Sequence, residues 1–224
     1  MSEVEKEGID QKTIINLVGP SAVGKTSLID YIDASFNHFS KVTSYTTRPQ
    51  RVGERADNYR FLDSTAINLD ELKARSLQFD QFPGTEVIYG TEPEDYKNKY
   101  NLLDTLSSSV DTFRGLGFAA CRQFIIVASP LEWENRIKQR EFSKPVLKNR
   151  LEEAKNSLTW AQEQQDRVQW IYNQDSNLEK VASLIVDLST DDETCKKFDD
   201  SNPKEIGSDL LQYIKYLIYR RGSL

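Results

Sequence analysis

Gly19-Pro20-Ser21-Ala22-Val23-Gly24-Lys25-Thr26 fits the pattern of Gly, four free positions, Gly, Lys and a hydroxyl residue. A loop of this kind turns successive backbone N–H groups onto the phosphates of a nucleotide, while its Lys reaches the β/γ-phosphates and its hydroxyl takes Mg²⁺. Ser21, Ala22, Val23, Gly24, Lys25, Thr26 and Ser27 are therefore candidate nucleotide-phosphate contacts, with Thr26 the candidate metal ligand. A second cluster follows in Ser44-Tyr45-Thr46-Thr47-Arg48-Pro49-Gln50-Arg51-Val52-Gly53-Glu54. Two arginines among hydroxyls suit a phosphate dianion, which calls for bidentate guanidinium donors. The single histidine, His38, excludes His-based zinc sites and most histidine-assisted nucleophiles. What remains is Arg, Lys, Asp and hydroxyl chemistry, the set that serves phosphoryl transfer by positioning and charge neutralisation.

The elements that must hold these residues can be read around them. Thr13–Val18 is a β-rich apolar run of the kind found in buried parallel strands, and Leu28, Ile29, Ile32 and Phe36 recur at helical spacing after the loop. Strand, glycine-rich turn and helix is the context the motif requires. Residues 44–91 read as a compact insertion of short strands and one helix, with a turn at Pro83-Gly84. Leu102–Val110 and Gln123–Ala128 are the next core strand candidates. Glu132–Leu158 is charged and helical with a break near Ser143-Lys144-Pro145, and Trp170–Asn173 reads as a final strand before a helix through Leu178, Val181, Leu184 and Ile185. Alternating strands and helices predict an α/β fold, a three-layer αβα arrangement on a central parallel sheet. The polar stretch 190–206 reads as a linker, and Leu210, Leu211, Ile214, Leu217 and Ile218 form the stripe of an amphipathic C-terminal helix. That stripe is expected to dock on the chain's own core or a second copy, attachment to a protein partner or a membrane surface being the alternative.

The ordered combination of motifs from about Ile14 to about Leu188 resembles the guanylate kinases, nucleoside monophosphate kinases that move the γ-phosphate of ATP onto GMP or dGMP. The resemblance implies a P-loop core (12–43, 92–133, 159–189), a GMP-binding insertion (44–91), a lid (134–158) and a tail outside the pattern (190–224). It implies that Ser44, Arg48, Arg51 and Tyr59 hold the GMP phosphate, and that Tyr89 and Thr91 of Tyr89-Gly90-Thr91 reach phosphate and guanine. Asp80, nine residues before Tyr89, falls where the family carries its guanine-reading acid; a carboxylate accepts from N1–H and the exocyclic amine and repels the acceptor N1 of adenine. The family strand ending Asp-x-Asp aligns with Ser109 and Asp111, Ser109 replacing the first acid and Arg114 the glycine of the following turn. Arg136 and Arg140, four apart on one helix face, and Arg150 beyond the bend resemble the lid arginines that close on ATP. With Lys25 and Arg48 they make the expected catalytic set. Asn173 matches a position beside the adenine. Mg²⁺ is the implied cofactor, with ATP as co-substrate.

Other readings remain at this stage: a kinase for a small phosphorylated sugar, or a binding module that has lost catalysis. The 224 residues with a net charge of −6 argue against a nucleic-acid surface. No run approaches the length of a membrane span, and Met1–Glu7 is acidic where a secretory leader is basic then apolar, so a cytoplasmic location is expected. Cys121 and Cys195 are expected to be free thiols.

Overall fold

The computed structural model describes residues 8–50, 54–81, 85–140 and 142–222. Arg51, Val52 and Gly53, and the turn at Pro83-Gly84, lie outside the described residues. Five parallel strands in the order β2-β7-β1-β8-β9 form the main sheet: β1 (Thr13–Val18), β2 (Phe39–Lys41), β7 (Tyr100–Asp104), β8 (Ala120–Val127) and β9 (Gln169–Tyr172). Every residue of β1 is buried, as a central strand covered on both faces requires. A second sheet, β4-β3-β6-β5, is built from β3 (Tyr45–Thr46), β4 (Arg60–Phe61), β5 (Gln78–Gln81) and β6 (Ile88–Thr91). It carries its own small core of Tyr45, Leu72 and Ile88.

Helix α1 (Lys25–Ser35) follows the phosphate-loop sequence and buries Leu28, Ile29 and Ile32. In the insertion, α2 (Leu69–Arg75) is capped by Asn68, whose side chain accepts from the Asp70 and Glu71 amides. After β7 the chain forms a 3₁₀ turn (Ser107–Ser109) and α3 (Val110–Gly115). Beyond β8, Ser129 and Glu132 form a reciprocal cap with Pro130 in the first turn of α4 (Pro130–Lys138). Pro145 sits in the first turn of α5 (Lys144–Glu163), which accounts for the break in the charged stretch. Helix α6 (Leu178–Thr190) covers α1.

The structure departs from the sequence reading in two places. The strand expected over Leu102–Val110 ends at Asp104, and its second half is helical. The expected linker contains α7 (Asp192–Lys197), with Cys195 buried, and α8 (Ser201–Gly222) begins before residue 206. An acidic run capped by Asp191 starts a helix as readily as it makes a linker. Helix α8 packs along α5 and β9, burying Leu210, Leu211 and Ile214 in the main core. Gly207 allows that close approach, since a Cβ there would strike the Trp170 ring.

Candidate active site

The sheet places the ends of β1 and β7 side by side, with Leu17 in register with Asp104. The carboxyl end of a parallel sheet, beside its central strand, is where such folds bind ligands. Gly24 opens α1 with φ 96°, a left-handed conformation that favours glycine, and a Cβ there would strike the Asn173 amide. Lys25 is buried and folds back across the loop: its Nζ donates to the carbonyls of Gly19 (2.6 Å) and Pro20 (3.1 Å) and lies 3.5 Å from an Asp104 carboxylate oxygen. The loop is supported from behind. Trp133 of α4 donates to the Ser21 carbonyl (2.9 Å), and the Asn173 amide to that of Val23 (2.7 Å).

A cleft of about 470 Å³ runs from this loop to the insertion, lined by Ser21, Ala22, Gly24, Lys25, Thr26 and Ser27 at one end and Ser44, Arg48, Tyr59 and Tyr89 at the other. Arg140 and Arg150 of the lid segment also line it. Arg48 is held on every side. Its fork meets Glu54 through two parallel bonds of 2.7 and 2.5 Å, its Nε donates to the Tyr89 hydroxyl (3.1 Å), and its carbon lies 5.0 Å from the Tyr59 ring centroid. The Glu54 partnership raises the Arg48 pKa despite burial, so the guanidinium is fixed as a cation. Burial pushes the Tyr59 phenol up, leaving its O–H as a donor. Arg150 pairs with Glu153, which shares the cleft. Asp104 opens to the cleft with its side chain 39% exposed, yet the chain packed around it withholds solvent and pushes its carboxyl up; Lys25 pulls it back and Glu153 pushes it further.

Several expected residues are placed elsewhere. Asp111 is exposed and paired with Arg114 (2.6 Å), and Ser109 is fully buried on the 3₁₀ turn, so neither faces the cleft. Because β7 ends at Asp104, six residues before the expected Val110, the carboxylate at the strand end is Asp104, with Leu106 two residues on. Both line the cleft. Arg136 does not reach it: the guanidinium donates to the carbonyls of Val23 (3.0 Å) and Asn173 (2.8 Å) and to Asp175 (2.6 Å), tying α4 to the loop and the end of β9. Thr91 is buried, its hydroxyl bonded to that of Tyr96 at 2.7 Å. Asp80 does not line the cleft; it accepts from the amide of Gln78 (2.8 Å), which does. Asp104, Gln78 and Glu153 are cleft residues that sequence reasoning passed over. The signal for Asp104 was a carboxylate closing an apolar run just before a run of serines.

No protein-family model matches the chain. Curated relatives do. The chain is 30% identical over 156 residues to the guanylate kinase of Oleidesulfovibrio alaskensis, covering 66% of this chain and 74% of that one. It is 31% identical over 157 residues to the guanylate kinase of a Nostoc species, covering 67% and 78%. The crystal structure of guanylate kinase from Anaplasma phagocytophilum superposes with a TM-score of 0.54 at 16% identity, covering 87% of this chain and 92% of that one, a likeness of fold. Taken with a phosphate loop facing an arginine–tyrosine insertion across one cleft, these likenesses place the chain in the guanylate kinase family.

Proposed function

We propose that the protein transfers the γ-phosphoryl group of ATP to GMP or dGMP, giving ADP and GDP or dGDP. The observation that carries this reading is the continuity of the cleft: two phosphate-binding sets, one around Lys25 and one around Arg48, face each other within one cavity. The loop amides and Lys25 hold the donor phosphates, the Lys25 ammonium giving up its carbonyl partners for phosphate oxygens. Ser44, Arg48, Tyr59 and Tyr89 hold the acceptor phosphate, joined by Arg51 from the same loop. Glu54 holds the planar Arg48 fork in place against its ring partners until the phosphate competes for it. Arg140 and Arg150 close from the lid and neutralise charge on the transferring group, excluding water that would hydrolyse ATP. Arg136 and Asn173 are positioning residues that shape the donor loop.

The donor set also fits Mg²⁺. Thr26 and Ser27 present hydroxyls at the start of α1, and no group of three His, Cys, Asp or Glu among the described residues could hold a metal by itself. That suits an ion carried mainly on substrate phosphates with the Thr26 hydroxyl as its protein ligand. Mg²⁺ held there by the Thr26 hydroxyl would supply positive charge against the donor phosphates.

No described helix is long and apolar enough to cross a membrane, which supports the expected cytoplasmic setting. The docking of α8 on its own chain supports a self-contained core; sedimentation velocity would reveal a dimer through its outer face, where Tyr216 and Tyr219 are exposed. The function is tested by ADP release with Mg²⁺ and ATP across GMP, dGMP, AMP, CMP and UMP. Acceleration by the guanine nucleotides alone is expected; equal rates with every acceptor, or with none, would overturn the reading.

A further inference from the structure

One lysine, where the core meets the insertion, is held by both. Lys41 closes β2 in register with Leu102 of the main sheet, and its backbone N–H donates to the Asp33 carboxylate of α1 (2.9 Å). Its side chain is 17% exposed and lines the cleft, where an ammonium gives up most of its water and needs partners. It has two. Nζ donates to the Asp30 carboxylate of α1 (2.8 Å) and to the side-chain carbonyl of Asn58 (3.2 Å). Asn58 also lines the cleft and directly precedes Tyr59, whose ring lies against Arg48. The next residue, Arg60, donates its backbone N–H to the Ser44 carbonyl (2.9 Å). Helix α1 begins with the donor-side residues Lys25 and Thr26. A single ammonium thus joins the donor helix to the segment that carries Glu54 and Tyr59.

We propose that Lys41 is a further positioning residue for the acceptor: by holding Asn58 against α1 it sets where Tyr59, and the Arg48 packed on it, meet the acceptor phosphate. The inference rests on the guanylate kinase reading above. A bond from an ammonium to an amide oxygen is charge-assisted, stronger than the same contact between neutral groups. Asp30 balances the charge and directs a stem that would otherwise sweep the cleft. Such a residue places the phosphate grip without touching the transferred group. Binding lost equally in the ground and transition states shows in KM alone.

Lys41→Met keeps the stem and removes the ammonium. The KM for GMP should rise about tenfold, the cost of one hydrogen bond to a charged group, with kcat within about threefold and the KM for ATP within about twofold. Lys41→Arg restores a cation and should bring the KM for GMP back to within about threefold of the parent's. Asn58→Ala should raise that KM by a similar factor and the double variant no further, since both remove the same contact. A melting temperature within about 4 °C of the parent's is expected for a partly exposed pair and reports an intact fold. Asn58→Ala, which leaves the ion pair with Asp30 in place, serves alone if Lys41→Met folds poorly. An unchanged KM for GMP in either single variant overturns the assignment. So do single effects that multiply to about a hundredfold in the double variant, or a loss shared equally by GMP and ATP, which marks a structural role. A parent inactive with every guanine nucleotide instead removes the kinase reading, and the inference with it.

Discussion

Replacing Arg48 by Lys keeps the positive charge and removes the fork, which isolates what the geometry contributes. Arg48 makes two parallel bonds to Glu54, one to the Tyr89 hydroxyl and one to the Pro49 carbonyl, and is 8% exposed. A lysine ammonium at the end of a flexible stem can keep one bond to Glu54 and loses the planar contact with the Tyr59 and Phe61 rings. The second Glu54 bond and the bonds to Tyr89 and Pro49 are lost, all three donated by a cation at a buried site; at about 1.5 kcal/mol each that is roughly 4–5 kcal/mol. In a chain of this size that lowers the melting temperature by roughly 8–20 °C. On the acceptor phosphate the lysine makes one bond where the fork makes two, a loss of about 1.5–3 kcal/mol, so kcat/KM for GMP should drop about 10- to 150-fold while the KM for ATP stays within about twofold. Differential scanning fluorimetry and a coupled ADP-release assay measure both. A variant that keeps kcat/KM for GMP within threefold of the parent would falsify the assignment of Arg48 to the acceptor phosphate.

Lys25→Met should abolish calorimetrically detectable ATP binding and lower turnover by about 10²- to 10³-fold, since its ammonium is the donor-side cation; ATP affinity equal to the parent's contradicts this. Arg136→Ala removes three ties to the loop and β9, so the KM for ATP should rise several-fold with that for GMP unmoved; a loss confined to kcat would return Arg136 to the catalytic set. The chain around the cleft withholds solvent from Asp104, so although its side chain keeps 39% exposure it holds its proton to higher pH when folded than unfolded, and its small contribution to stability is complete below the ordinary value of about 4 and is lost as pH rises through the folded value. Melting curves from pH 4 to 7 should therefore show Asp104→Asn gaining slightly on the parent as pH rises, and parallel curves would refute the desolvation argument.

The donor loop was legible because its spacing is a backbone requirement: two glycines, a lysine and a hydroxyl are fixed by the turn itself, and the strand and helix around it follow local periodicity. The strands Phe124–Val127 and Trp170–Tyr172 were visible for the same reason. Asp104 was not, because Leu102 to Val110 is apolar enough at both ends to read as one strand, and only pairing with β1 and β2 decides where the ladder stops. Arg136 and Arg140 share a helix face, yet one turns to the loop and the other to the cleft; spacing along a helix does not choose between neighbours on the same side. Gln78 gave no signal, since an isolated glutamine in a strand ordinarily faces water. Its place in the cleft wall depends on a cross-strand pairing that only the folded insertion supplies.

The most direct measurement is the fate of the γ-phosphate. With [γ-³²P]ATP, Mg²⁺ and GMP, the label should appear in GDP, little of it in inorganic phosphate, and none of it in a nucleotide when AMP replaces GMP. Label accumulating as inorganic phosphate regardless of acceptor, or remaining in ATP, would contradict the account.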